Sequence, residues 1–433
     1  MTATQVATPA EVEQLGSLRW TELYRPAPPR RFDPGPLREA LIAAAQGRLR
    51  QGDRVGICVG SRGIDGLAQV VGLVVEAVKA ADAVPVVIPA MGSHGGATPQ
   101  GQLAVLRDLG VREETLGVPF EASMEVEQVG VVPGGHPVYL SAVALGCQAI
   151  VPVNRVKPHS DFRARVESGL TKMLTIGLGK ELGASSLHRA GFMAFGTVLP
   201  AALEIVLSNL HVPFGVALVE DTWHRLDRAE IVPGGSVLER DAQLLEQAWG
   251  LFGSLPFGEL DVLVLKEMGK TISGAGMDPN VTGRFPVDPL PSPTKVARLV
   301  VLDLRDDSGG NAIGVGTADV VTERLRNKVN WHYTYANARA SKSLPGARLP
   351  MVATSDREAI SDALGSLVGG RSGVPRVVAM ANTLEVNHLL VTGPLVSEAE
   401  PAGYHAAGRD LSAMFDKDGA LVRIGDVPFF GQH

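Results

Sequence analysis

The sequence predicts an α/β protein of two domains with a cleft between them, the N-terminal one Rossmann-like, and three observations lead there. Short Val- and Ile-rich runs alternate with longer stretches of helical spacing. The chain has 433 residues, more than one core usually organises at roughly 150 residues per domain. A Gly- and Pro-bearing stretch, Gly253 to Phe257, separates two such series, which sets an N-terminal cofactor-binding domain at 1–255 and a C-terminal α/β domain, closing over a substrate, at 256–433.

Taken in order, a Pro/Arg-rich lead-in precedes a helical segment from Leu37 to Leu49. Arg54 to Val59 then reads as a buried strand, Leu67 to Ala80 as a packed helix and Val84 to Pro89 as the next strand. Thr98-Pro99 is a good start for the helix that runs to Leu109, because threonine can cap the first free amides and proline needs no hydrogen bond at the first helical position. Shorter strands fill Val118 to Leu140. Ala149 to Val153 is a third apolar strand, Phe195 to Leu210 a helix, Phe214 to Val219 a fourth strand and Ser236 to Phe252 an amphipathic helix. The second series has strands at Asp261 to Leu265, Ala297 to Leu304 and Arg376 to Met380, with helices near Ala318 to Asn327 and Ser355 to Leu367.

Composition narrows the function. A formal net charge of −6 argues against a nucleic-acid coat or an anionic-membrane binder. The two cysteines, Cys58 and Cys147, both in apolar stretches that read as strands, make a disulfide framework or a cysteine-based zinc site unlikely expectations. MTATQVATPAEVEQLG lacks a basic start and an apolar core, and no uninterrupted apolar run of about 18 residues occurs, so the expected compartment is the cytoplasm.

Ligands of doubly wound sheets bind beyond the carboxyl ends of the strands. Four exits carry reactive types: Ser61-Arg62, His94, the set Asn154, Arg155, Lys157 and His159, and Asp221 with His224. Asp221 and His224 read more simply as loop and capping residues. Gly92 to Gly96 would let backbone approach a ligand. From Val151 to Ala190, seven basic residues stand against three acidic ones, a local net of +4 that favours an anionic ligand. Partial ion pairing on a solvated face is the plainer explanation for Arg163 and Arg165 beside Asp161 and Glu167. Met268-Gly269-Lys270-Thr271 lacks the first glycine of a phosphate-binding loop, Gly177 to Gly183 does not fit the dinucleotide fingerprint, and no HExxH or GxSxG motif is present. His94, His159 and His188 suffice for a pair of acid/base groups and one nitrogen ligand for a borderline metal.

Gly92-Ser93-His94, His159, and Ser168-Gly169-Leu170-Thr171-Lys172 followed sixteen residues later by His188 resemble the nickel-dependent lactate racemase family. The run Asp278 to Arg284 (DPNVTGR) is similar to a loop of related nickel-pincer-dependent isomerases. The resemblance covers most of the first 255 residues and the remainder more loosely. It implies a racemase or epimerase of a 2-hydroxy acid using nickel in a pyridinium-3-thioamide-5-thiocarboxylate mononucleotide, the nickel-pincer nucleotide, joined to Lys172. By the same resemblance His188 is the protein's nickel ligand, His94 and His159 are the acid/base pair on opposite faces of the substrate's α-carbon, and Arg62 and Lys157 attend the cofactor. The implied partners are a small anionic hydroxy acid and the cofactor-synthesis and sulfur-transfer proteins.

Departures from that pattern bear on the substrate. The family pairs an Asp with an Arg after the first strand, whereas Gly60-Ser61-Arg62-Gly63 keeps only the Arg; His94 is followed by Gly-Gly rather than Arg. The family's C-terminal substrate-contacting Gln and Lys have no match, leaving Arg284 or Lys270 as substitutes. A larger or more polar hydroxy acid, or a sugar acid, is therefore expected in place of lactate. Two other readings use the same residues: a non-catalytic carrier or sensor of the nucleotide or another anionic metabolite, and a metal-assisted lyase or hydrolase built on His94, His159 and Asp221.

Overall fold

The computed structural model describes residues 18–30, 32–286, 290–367, 373–408 and 415–421. The N-terminal segment MTATQVATPAEVEQLG lies outside them. The chain divides into two compact units, Pro29–Phe252, and a second assembled from Met1–Pro28 with Gly253–His433. The expected 1–255 domain is thus corrected at its start. Strand β1 (Trp20–Tyr24) pairs antiparallel with His388–Thr392, and Leu23 is buried there, so the lead-in completes the sheet of the C-terminal half.

The first unit is a doubly wound sheet. Its strands are β2 (Arg54–Val59), β3 (Val84–Pro89), β6 (Ala149–Arg155), β7 (Phe214–Glu220) and β8 (Leu226–Pro233), while β4 (Val126–Val132) and β5 (His136–Ser141) form a separate hairpin. The sheet order is β3-β2-β6-β7-β8, parallel except for β8. Counted within the unit this is 2-1-3-4-5, the flavodoxin-like variant of the doubly wound plan, whose direction of growth reverses between β2 and β6. Strand alternation fills two cores. Val55, Ile57, Val59, Val151, Val153, Val216 and Leu218 face one side with the helices Pro34–Gln46 and Leu67–Ala80, whereas Cys58, Ile88, Ile150, Ala217 and Val219 face the other.

Local chemistry sets the helix starts. Asp33 accepts from the Gly35 amide and Thr98 from the Gly101 amide, each with proline in the first turn. Phe192–Asn209 is long and apolar enough, by length and composition alone, to cross a membrane. Its residues Phe195, Val198, Leu199, Ala202, Leu203 and Val206 pack in the second core. Cys147 lies in a bend rather than a strand, and both cysteines are free.

The second unit has an eight-stranded mixed sheet. After β9 (Glu259–Leu265), β10 (Lys295–Val301), β11 (Val320–Thr322), β12 (Met351–Ala353), β13 (Val377–Met380), β14 (His388–Thr392) and β15 (His405–Ala406), its order is β12-β11-β10-β9-β13-β14-β1-β15. The helix expected near Ala318 is preceded by a strand. Three buried β-branched residues, Val320 to Thr322, pair with β10 and β12, and Thr322 then caps the helix Glu323–Lys328 by accepting from Leu325.

Leu23→Ala should lower the stability of this second unit by roughly 2–5 kcal/mol, the cost of emptying a buried leucine site. A fall in the urea midpoint of that unit, with the Pro29–Phe252 transition unmoved, checks the assignment of the lead-in.

Candidate functional site

The parallel strands β3, β2, β6 and β7 end on one edge, so the predicted exits share it. Beyond β6 the chain folds back on itself. Asn154 Nδ2 donates to the Gly169 carbonyl at 2.6 Å. The Ser168 hydroxyl both accepts from the Lys157 amide and donates to the Lys157 carbonyl, each at 2.7 Å. Buried Glu167 accepts from the amides of His159 and Ala164 at 2.8 and 3.2 Å. Burial raises the Glu167 pKa, and those amides and Arg163 oppose the rise.

At Gly169 the backbone takes φ +79°, and an added Cβ would lie 2.5 Å from the Asp241 carboxylate. That carboxylate, 1% exposed, accepts from the amides of Leu170 and Thr171 at 3.2 and 2.6 Å. It thereby satisfies the open amides of the short helix Gly169–Lys172. One π-helical turn, Met173–Gly177, connects this helix toward the next, Lys180–His188.

The turn brings Lys172, His159 and His188 around three phenylalanines. The His159 ring lies 4.5 Å from Phe162 and 5.9 Å from Phe192, and the His188 ring 5.7 Å from Phe192 and 5.3 Å from Phe195, between centroids. Lys172 Nζ stands 5.7 Å from the Phe162 centroid, within cation–π range. Burial lowers the Lys172 pKa to about 8; Arg62 and Lys157 push it the same way, while Asp161 and Glu167 resist. His159 is driven well below the ordinary histidine range by desolvation first, then by the charges of Lys172, Lys157, His188 and Arg163. It is therefore neutral at pH 7.

Each ring is oriented at Nδ1. His188 Nδ1 lies 2.5 Å from the Ala184 carbonyl, so it donates and Nε2 carries the lone pair. His159 Nδ1 accepts from the Asp161 amide at 3.1 Å and faces the Asp161 carboxylate at 3.6 Å. The amide bond selects the Nε2–H tautomer, and the carboxylate stands beyond hydrogen-bond distance of Nδ1.

His94 is exposed, in the loop beyond β3, which is the strand next but one to β6. Its Nδ1 bonds the Ser61 hydroxyl, which links the β3 and β2 exits. Its loop is stitched to the π-turn, since the Gly92 amide donates to the Gly177 carbonyl at 3.1 Å and a Cβ on Gly177 would lie 2.5 Å from the Ala90 carbonyl.

Other predicted residues serve the fold. The Asp221 carboxylate accepts from the amides of Trp223 and Arg225 and pairs with the Arg225 guanidinium at 2.7 Å, the plain loop role. Arg284 donates to Val296 and Ala297 carbonyls and pairs with Asp319 at 2.8 Å. Lys270 Nζ donates to the Gly274 carbonyl at 2.6 Å. These are contacts within their own unit. The +4 stretch is also less open than its total suggests: Arg155 pairs with Glu220, Arg165 with Glu239, and Lys180 is buried.

Sequence reading missed Phe162, Phe192, Phe195 and Asp241. Asp241 was discoverable, because it falls on the buried stripe of Val237–Leu251 with Val237, Leu244, Leu245 and Ala248. Among the described residues no group of three or more His, Cys, Asp or Glu could hold a metal.

No family model matches the chain, and no curated protein matches it. Among solved structures, the lactate racemase apoprotein from Thermoanaerobacterium thermosaccharolyticum is similar at a TM-score of 0.42 and 12% identity, over 80% of this chain and 82% of that one. A likeness this loose carries no argument about the site.

Competitive acylation followed by peptide mass spectrometry should find Lys172 titrating at about 8, against about 10.4 for ordinary lysines. Asp161→Asn should lower it further, since a charge that favours the ammonium is removed. The Asp241 pKa is raised to about 6 by burial, against the amides that favour its anion. Its contribution to stability is thus greatest below its unfolded pKa of about 3.9 and is lost as pH rises through about 6. Asp241→Asn should flatten the change in urea midpoint between pH 4 and 6.

Proposed function

We propose that the chain is a racemase or epimerase of a 2-hydroxy acid or sugar acid, working by reversible hydride transfer with a nickel-pincer nucleotide tethered to Lys172. The observation that carries this reading is the gathering of Lys172, His159 and His188 around one phenylalanine cluster at the switch point of the sheet. It brings together three of the four residues on which the sequence resemblance rests, while His94 bonds Ser61 at the β3 exit.

The residues fit such a group in two respects. An amine of pKa about 8 keeps roughly a tenth of itself neutral and nucleophilic at pH 7, as forming the tether requires. The Nδ1 bond to Ala184 makes His188 Nε2 the nitrogen a borderline metal takes. Lys157 and Arg62, whose charges already act on Lys172, suit the anionic parts of the nucleotide. When bound, the cofactor would supply the acceptor for the α-hydride.

The proton is handled by the chain. His159 is neutral at pH 7, and moving its ring proton from Nε2 to Nδ1, at the cost of the Asp161 amide bond, would free Nε2 to take the substrate's hydroxyl proton. His94, bonded to Ser61, serves as the base for the reverse direction. Loss of the α-hydride leaves a planar 2-keto acid, which can be reduced from either face. Phe162, Phe192 and Phe195 keep water from the chemistry. A cytoplasmic protein loaded by cofactor-synthesis and sulfur-transfer partners completes the reading.

Co-expression with cofactor-synthesis machinery should give a mass addition at Lys172, nickel in proportion to it, and interconversion of a hydroxy acid enantiomer or epimer by chiral chromatography. His188→Ala should lose nickel but keep the mass addition, and His159→Gln should lower kcat by roughly 10²–10⁴-fold. Absence of both the mass addition and nickel would overturn the proposal. Both without turnover across a hydroxy-acid panel would establish the carrier reading.

A further inference from the structure

The fully buried side chains of Lys180 and Gln102 form a polar brace inside an otherwise apolar core. Lys180 Nζ donates to the Pro89 carbonyl at 2.5 Å and to Gln102 Oε1 at 3.0 Å. The amide of Gln102 then donates to the Gly92 carbonyl at 2.9 Å and, at 3.4 Å, to the His94 carbonyl. Lys180 thus grips the end of β3 directly and the loop beyond it through Gln102. Its own backbone begins Lys180–His188, directly after the π-turn that follows Lys172.

From this connectivity we propose that Lys180 and Gln102 are positioning residues, which hold the His94 loop in register with the element carrying Lys172 and His188. The placement is demanding. Lys180 occupies φ +53°, a region a lysine rarely adopts, and its ammonium lies in a core where an uncompensated charge is costly. An apolar side chain would fill the same space without that desolvation, but would leave the Pro89 carbonyl and the Gln102 amide carbonyl without this donor. The glycines of the loop supply no side-chain packing of their own: Gly92, Gly95 and Gly96 all have positive φ, and Gly96 has open space where a Cβ would be. The brace supplies from below the fixity that those glycines lack. Only its consequence for turnover rests on the proposed function; the positioning itself does not.

Two variants test it. Lys180→Met removes the ammonium and keeps the stem, while Gln102→Glu keeps an acceptor for Lys180 and deletes the donor to the loop. In both, amide exchange across 91–97 should rise at least tenfold, with exchange in β2 and β6 unchanged. In histidine-labelled protein the His94 ring resonances should move while those of His159 and His188 stay, a signature that general destabilisation does not produce. Unchanged exchange and unchanged His94 resonances in the folded Gln102→Glu protein would overturn the proposal, as would a uniform rise across the whole unit in both variants. If the protein turns over a hydroxy acid, kcat should fall tenfold or more with KM within about twofold. Positive exchange and ring shifts in a protein without turnover would uphold the brace and defeat only the catalytic reading.

Discussion

The site depends on one buried carboxylate. Asp241 reaches across from Val237–Leu251 to accept the amides of Leu170 and Thr171, and so fixes where the short helix Gly169–Lys172 begins. Helix starts leave amides without intrahelical partners, and in a core no water is at hand to take them. The close approach requires glycine at 169, since any Cβ would collide with the carboxylate. Lys172 stands at the far end of that one turn, and its position among the phenylalanines follows from it.

A second balance sets the chemistry of the basin. Burial disfavours charge on Lys172 and His159 alike, and neighbouring cations add to it, with Asp161 and Glu167 working in opposition at Lys172. The Lys172 shift from 10.5 to about 8 corresponds to a few kcal/mol of bias toward the neutral amine. The same burial therefore leaves the imidazole uncharged and raises the neutral share of the amine to roughly a tenth at pH 7. Asp161 has an effect of both signs: it favours the Lys172 ammonium at a distance and presents its amide and carboxylate to His159 Nδ1.

How much could be read from sequence follows from the range of each signal. Arg54–Val59, Leu67–Ala80 and Val84–Pro89 were legible residue for residue, because apolar period and turn residues are local properties. Thr98 and Ser355 were legible as helix starts for the same reason, each accepting an amide three residues on. The β11 strand was not, since three residues carry too little pattern and owe their state to β10 and β12. In the site, the order of His94, His159, Lys172 and His188 was visible, but the three phenylalanines around Lys172, His159 and His188 were not. Phe162 reaches Phe192 and Phe195 from a segment thirty residues earlier, with no spacing that marks it beforehand. Arg284 meets Asp319, a partner 35 residues away that no spacing marks, while Lys270 reaches only four residues on to the Gly274 carbonyl.

The insertion of β1 between β14 and β15 has a consequence for how the molecule comes to be. Arg25 bonds Asn387 across 362 residues of chain, so the second unit cannot close its sheet until β14 has been made. Pro29–Phe252, by contrast, is continuous and can collapse during synthesis. Strand β1 must wait for β14, made more than 360 residues later, with buried Leu23 uncovered meanwhile. Condensation of the intervening unit shortens the distance that this late closure has to span.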